Sequence, residues 1–450
     1  MEAKLQALLD AVENSKDRVL AAERQMWNNP EPGFREWKTH AFLKQQFEEL
    51  GYQVTEDGNI PGMYVEADSG RPGPKLAIFG EMDSLIIPTH PECDPETGAV
   101  HACGHHAQCA ALLGIAAALK APGAMDGLSG SVRLIAVPAE EGIELEFRQG
   151  LREQGIIRYM GGKVEFMSRG MLDGVDLATM VHTAGHKGVV CKGGSNGCIV
   201  KTATFLGKSS HAASASGGIN ALYAANLAMQ AANSLRETFK DSETVRFHPI
   251  ITNGGTAVNA IPDTVTVESY LRGATLECIE RENKKINRAF AGAAAAMGCK
   301  LILKDSHGDA PQYFSPLFKQ AAKEAALEMY PPEEVNFSDA WGVGCTDMGD
   351  ISCIMPMIQT SIYGAEGAGH GTTYRIKDPY AACVVSAKYQ VRLLVRLLRD
   401  DAAVAKQIVA EEPERYMTVP EYLAKVDSIN FDGQTVTYNE DGTVALKFVK

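Results

Sequence analysis

Residues 101–110 read HACGHHAQCA, three histidines and two cysteines in ten positions just ahead of an apolar run. Thiolate and imidazole are borderline-soft donors, suited to zinc and acceptable to cobalt, nickel or manganese. Cys103 and His105 stand two apart across Gly104, a spacing that turns both side chains the same way on an extended or looping backbone. Two readings follow: a redox or structural cysteine motif, or half of a metal site whose other donors lie elsewhere in the chain. VPAEEG (137–142) supplies two adjacent carboxylates, Glu140 and Glu141, at the end of an apolar stretch. On a strand they point to opposite sides, so one can bind metal while the other works on a water. The competing reading is a solvated loop with two surface acids, although Pro138 and Gly142 favour a shaped turn. His182 ends a third apolar run, with His186 four residues later as the alternative donor. His211 lies in GKSSHAA and His370 in the Gly-rich GAGHG. A lone histidine is more often a satisfied surface or core residue than a ligand. Strand-end histidines and acids taken together leave few competing explanations.

Such side chains need a scaffold that delivers them to one place. KLAIFGEMD (75–83), SVRLIAVPAEEG (131–142) and DLATMVHT (176–183) are apolar runs that end in acids or a histidine, and AQCAALLGIAAALKA (107–121) is helical with Gly114 as a weak point. The alternation predicts an α/β catalytic domain with a largely parallel sheet flanked by helices. Sites in such sheets collect at the carboxyl ends of strands, where Asp83, Glu140, Glu141 and His182 fall. The first fifty residues predict two helices broken at NNPEPG. From about residue 194 the pattern becomes β-α-β-β-α-β, an inserted α+β domain of ferredoxin-like type with four strands and two helices on one face. The expected division is 1–193 with 310–410 for the catalytic domain, 194–309 for the insertion and 411–450 for a C-terminal extension. In that extension INFDGQTVTYNEDGTVALKF, with two D-G turn signals, predicts a hairpin packed on the catalytic domain.

Composition narrows the class. The 450 residues are 45% apolar and 22% charged, with a formal net charge of −13. That balance excludes a nucleic-acid or anionic-membrane surface. The N-terminal stretch is a charged amphipathic helix rather than a signal peptide, and no apolar run is long enough to span a bilayer, so a cytoplasmic protein is expected. Ten cysteines are scattered without any C-x-x-C pair, as reduced buried residues would be.

HACGHH, VPAEEG, VHTAG, GKSSHAA, NGGTAVNAIPD, LRG and GAGHG occur in an order that resembles the aminoacylase and carboxypeptidase family of two-metal amidohydrolases, over roughly residues 10–400. GCTDMGDISCIMP with the later GAGHG is similar to the branch of aminobenzoyl-glutamate hydrolases, N-acyl-amino-acid hydrolases and beta-alanyl dipeptidases. The resemblance implies that Cys103 bridges two divalent metal ions, with His105, Glu141, His182 and His370 completing their shells. Zinc is the expected metal given the thiolate, manganese the alternative. It further implies Glu140 as general base and acid, and Asp83 as the acid that orients a metal ligand. His211 would reach across a homodimer, formed through the inserted lid and dimerisation domain, to polarise the substrate carbonyl. Asn259 and Arg272 would hold the substrate's amide and carboxylate. The implied reaction is hydrolysis of an N-acyl-amino acid, aminobenzoyl-glutamate-like or dipeptide amide, a small-molecule substrate.

Three departures stand out: His106 in place of the usual Asp or Asn, Gln108 in place of a histidine, and no Pro-His after His211. His106 alters the surroundings of the ligands or competes as one. Two rival readings are a non-catalytic metal-binding relative serving as a binding or scaffold protein and a hydrolase with Cys103 as nucleophile. A retained Glu140 speaks against the first. The second explains neither the Glu140–Glu141 pair nor His370.

Overall fold

The computed structural model describes residues 2–447, which divide into two compact units. One comprises the chain up to Gly194 with Tyr313–Trp341 and Thr346–Val419; the other comprises Ser195–Gln312, Gly342–Cys345 and the chain from Pro420 onward.

The first unit is built on a seven-stranded sheet. Its order is Met63–Asp68, Ser131–Val137, Lys75–Glu81, Leu177–Ala184, Met357–Tyr363, Val189–Cys191 and Val335–Phe337. The four central strands run parallel, and antiparallel pairings occur at Met63–Asp68 with Ser131–Val137 and at Met357–Tyr363 with Val189–Cys191. All seven residues of Ser131–Val137 are buried, as expected of a strand covered on both faces. Helix His105–Leu119 is buried at every position but Ala117, because strand Lys75–Glu81 and helices Glu2–Asn14, Lys16–Trp27 and Ser386–Val409 surround it. Gly114, a weak point for the helix, lets these neighbours approach closely: a Cβ there would stand 3.1 Å from Ala387 Cβ and 3.2 Å from Val19 Cγ2, tighter than ordinary contact. The N-terminal region has three helices rather than two, since Ser15, whose hydroxyl donates to the Val12 carbonyl, parts Glu2–Asn14 from Lys16–Trp27 before Trp37–Glu49.

The second unit is a five-stranded antiparallel sheet ordered Phe431–Gln434, Lys300–Asp309, Gly197–Leu206, Thr264–Gly273 and Arg246–Asn253. Helices Ala221–Ser234 and Leu276–Ala296 pack on each other and on this sheet over a core that includes Phe205, Phe247 and Phe290. The insertion supplies the expected four strands and two helices, and Phe431–Gln434 from the C-terminal extension adds a fifth strand at the sheet edge. That pairing also relocates the expected hairpin: the extension from Pro420 onward joins the inserted domain rather than the catalytic one, with Ile302–Asp305 paired to Phe431–Gln434 and with Ile429 and Val436 in the second unit's core. The first D-G, Asp432–Gly433, lies inside that strand. The second, Asp441–Gly442, turns the hairpin of Val436–Tyr438 with Val444–Leu446, with Gly442 at φ +81°. Phe448, the last residue of the expected hairpin, lies outside the described residues. Among the described residues no helix is long and apolar enough to cross a membrane.

Candidate metal centre

The donors converge at the carboxyl ends of the first unit's parallel strands, where an open α/β sheet presents its loops. Gly104, at φ +87°, turns the chain from Cys103 into helix His105–Leu119, and a Cβ there would collide with Tyr374 and Thr183. His105 is therefore the first helical residue, with Cys103 one turn-residue behind it. Cys103 Sγ lies 3.4 Å from Nε2 of His182, whose Nδ1 donates to the Thr183 carbonyl at 3.0 Å. Cys103, His105 and His182 form one group whose ligand atoms all lie within 4.8 Å of one another. Cys103, Glu141 and His370 form a second, so the thiol is common to both. His186 is exposed and belongs to neither.

Beyond Val137 the pleat ends. Ala139 adopts φ +56°, and its N–H donates to Glu36 Oε1 at 2.8 Å. This turn changes the expected outcome for the two acids. Instead of pointing to opposite sides, Glu140 and Glu141 each bring a carboxylate oxygen within 4.8 Å of the other and of His105. His370, also left-handed at φ +61°, puts Nε2 3.3 Å from Glu141 Oε1, a buried oxygen that has no hydrogen-bond partner. Non-glycine residues held in this region of backbone space are strained and cluster at functional sites.

Asp83 links the two halves. Its Oδ1 is 3.0 Å from His105 Nδ1, and its Oδ2 accepts from the Glu141 N–H at 2.8 Å. The first contact fixes a ring proton on Nδ1 and leaves Nε2 as the nitrogen open to a cation once its own proton is displaced, the orientation of a metal-ligating histidine. That Nε2 is 3.2 Å from Glu81 Oε2 and 3.9 Å from Glu140 Oε2. Burial opposes charge on His105, yet Cys103, Glu81 and Asp83 push its pKa well up. Burial, followed by the charges of Glu81 and Glu141, pushes the Glu140 carboxyl well above the usual range. A half-buried thiol, two oriented imidazoles, a buried carboxylate oxygen and a third histidine fit a pair of divalent cations sharing Cys103.

Three residues that sequence reasoning misses complete the surroundings. Lys163, fully buried, donates from Nζ to Glu81 Oε1 at 2.6 Å and to Asp347. Burial opposes its charge, but Asp347, Glu81 and Glu140 together push its pKa up. Against burial, Lys163 and then His105 hold Glu81 down at about 2. Glu81, Glu140 and Asp347 are close enough to hold a cation, and the Lys163 ammonium already serves Glu81 and Asp347 in that capacity. Gln108 explains its own departure: its amide donates to Glu81 Oε2 at 2.9 Å and accepts from the Glu81 N–H at 3.2 Å. His106 turns away from the donors, with Nε2 3.2 Å from Glu23 Oε1 and its ring against Trp27 and His101. It belongs to none of the donor groups among the described residues.

The remaining expected site residues lie in the second unit. His211 is exposed, and its Nδ1 accepts from the Ala213 N–H at 3.1 Å, which leaves the ring proton on Nε2. Asn259 is its neighbour, since its carbonyl accepts from the Ala212 N–H at 2.9 Å. Arg272 is elsewhere in that unit, in strand Thr264–Gly273, donating to the Val343 carbonyl at 3.4 Å.

A family model described as Peptidase family M20/M25/M40 matches residues 77–400. The chain belongs to this peptidase family. Members act on amide bonds, and this M20-family chain is accordingly a hydrolytic enzyme. It is 26% identical over 389 residues to the Xaa-Arg dipeptidase of Mus musculus, a match covering 81% of each. Identity to the N-acetyl-L-cysteine deacetylase of Bacillus subtilis is 27% over 330 residues, or 70% of this chain and 74% of that protein. In fold the M20-family chain is similar to a dinuclear metal-binding peptidase from Bacillus subtilis, with a TM-score of 0.64 at 22% identity, covering 86% of this chain and 98% of the other.

Proposed function

We propose that the chain is a two-cation amidohydrolase that releases an amino acid from an N-acyl-amino acid or a dipeptide. One observation carries this reading: Cys103 belongs to two donor groups at once, while Glu140 stands beside both with its proton affinity raised. Two divalent cations, zinc in preference to manganese because of the thiolate, would supply Lewis acidity and an activated water when bound. Glu140 takes that water's proton onto its carboxylate and returns it to the departing amine nitrogen, a role suited to a carboxyl whose pKa is raised. Asp83 keeps His105 and Glu141 in register during both transfers. His211, with its proton on Nε2, donates to the carbonyl oxygen as negative charge develops there. Arg272 pairs with the carboxylate of the amino acid released, and Asn259 holds the amide.

The working form in this proposal is a homodimer through the second unit. Strand Arg246–Asn253 is an edge of its sheet and exposes Ile250 and Ile251, and helix Ala221–Ser234 exposes Tyr223 and Leu227. Ten cysteines, none in a disulfide, suit the reducing cytoplasm.

The test is metal content and hydrolysis by wild type and Glu140→Ala, assayed on N-acyl amino acids, aminobenzoyl-glutamate and dipeptides including Xaa-Arg. Metal in both proteins with hydrolysis lost only in the variant is the expected result. Absence of metal from wild type under metal-replete conditions would sink the reading.

A further inference from the structure

A second group of thiol and carboxylate side chains comes together in the other unit. Cys198, Asp309 and Cys345 each place a ligand atom within 4.8 Å of the other two. Cys198 sits near the start of strand Gly197–Leu206, is 5% exposed, and has Arg272 as its pairing partner on one side and Asp309 on the other. The register on the Asp309 side slips between His307 and Asp309, a bulge centred on Gly308. Bulges re-aim side chains, and this one brings Asp309 Oδ2 to 3.6 Å from Cys198 Sγ. A Cβ at Gly308 would lie 2.6 Å from that sulfur, so the space the thiol occupies depends on glycine at the bulge. Cys345 arrives on the segment Gly342–Cys345, which is tied down by the Asn196 N–H donating to the Gly342 carbonyl at 3.0 Å and by Arg272 donating to that of Val343.

We infer that Cys198, Asp309 and Cys345 form a binding site for a soft divalent cation of the zinc class. Two thiols and a carboxylate are a zinc donor set, and bonds of about 2.0–2.3 Å draw such donors to within about 4 Å of one another, a small contraction from the present spacing. Asp309 separates this reading from a simple dithiol pair, because a disulfide has no use for a carboxylate steered onto its sulfurs by a bulge. On binding, both S–H bonds are exchanged for sulfur–metal bonds and two protons pass to solvent. Two thiolates and a carboxylate exceed a divalent cation by one negative charge, which the guanidinium of Arg272 beside Cys198 offsets. Asp309 and Cys345 are partly exposed, giving the ion a route in and an open fourth position. The site works as a clip that fastens the Gly342–Cys345 segment to the tips of two strands.

The experiment compares full-length wild type with Cys198→Ser/Cys345→Ser and with Asp309→Asn, all loaded with zinc, desalted and analysed for metal per chain. Thermal unfolding confirms that each variant is folded, and Asp309→Asn serves if the double variant is not. Wild type should hold one cation per chain more than either variant. Cadmium-loaded wild type should show thiolate-to-metal absorbance that falls in the double variant. A Glu141→Gln/His370→Ala protein should keep this ion whatever happens at the first unit's donors, so failure here and failure of the amidohydrolase reading are distinguishable. Equal metal content in wild type and both variants overturns the inference, as does a Cys198–Cys345 disulfide in the zinc-loaded protein.

Discussion

Each unit buries a lysine, and the two are held in opposite ways. Lys163 in the first unit faces Glu81 and Asp347 with Glu140 nearby, and these carboxylates outweigh burial and push its pKa up. Lys201 in the second donates to Asp305 and Asn287, while Asn283 and Asn287 each donate to Asp305 Oδ2 at 2.7 Å. There burial outweighs the single carboxylate and lowers the lysine's pKa. The second arrangement is a neutral pair closed by amides, which ties a strand to a helix and needs nothing more. The first sets three carboxyl groups against one ammonium beside the donors, at a place where a cation can be accepted. Surplus buried carboxyl groups point to chemistry, whereas a balanced buried pair points to architecture.

The sharpest way to break this contrast is at Glu140. Glu140→Gln should lower kcat by about 10²–10⁴-fold while leaving metal content unchanged, measured by steady-state kinetics beside metal analysis. A fall in metal content to match would make Glu140 a ligand rather than a base. Next in size, Lys163→Met should destabilise the protein by about 3–5 kcal/mol in urea unfolding, because Glu81 and Asp347 lose their shared partner. Asp83→Asn should weaken metal binding by about 10–100-fold in chelator competition, with folding intact, since the amide's single oxygen can accept from the His105 ring or from the Glu141 N–H but not from both. The smallest effect is expected in the second unit. Lys201→Met/Asp305→Leu/Asn283→Leu/Asn287→Leu removes the neutral pair together with the amides that close it and should change stability by no more than about 1 kcal/mol, with kcat unaltered. A large loss of activity there would erase the distinction between the two lysines.

What is legible in the sequence follows the range of the interactions. Cys103, His105, Glu140, Glu141 and His182 stand out because strand tips and a helix start are local patterns, and each of these residues lies on one. Glu81 is hidden in plain view, two residues before Asp83 at the same tip. Lys163 and Asp347 give no local signal, because they meet across 184 positions and neither periodicity nor turn chemistry marks them. Arg148 is similar, a buried cation whose Nη1 donates to the Met160 carbonyl at 2.8 Å and whose other nitrogen reaches the carbonyl of Glu141. The C-terminal error has the same origin. Asp432–Gly433 and Asp441–Gly442 are the same dipeptide, and only pairing with Lys300–Asp309, more than a hundred residues upstream, makes the first a strand and leaves the second a turn.

That C-terminal strand has a consequence for assembly. Four residues long and containing Gly433, Phe431–Gln434 blunts one side of the five-stranded sheet, while the eight-residue Arg246–Asn253 remains open on the other. A sheet with a single usable edge can join one copy of itself about a twofold axis, after which no edge is left to add a third. If two copies pair on that edge, growth into fibres would stop at the pair, and a chain cut before residue 430 would lose that terminator.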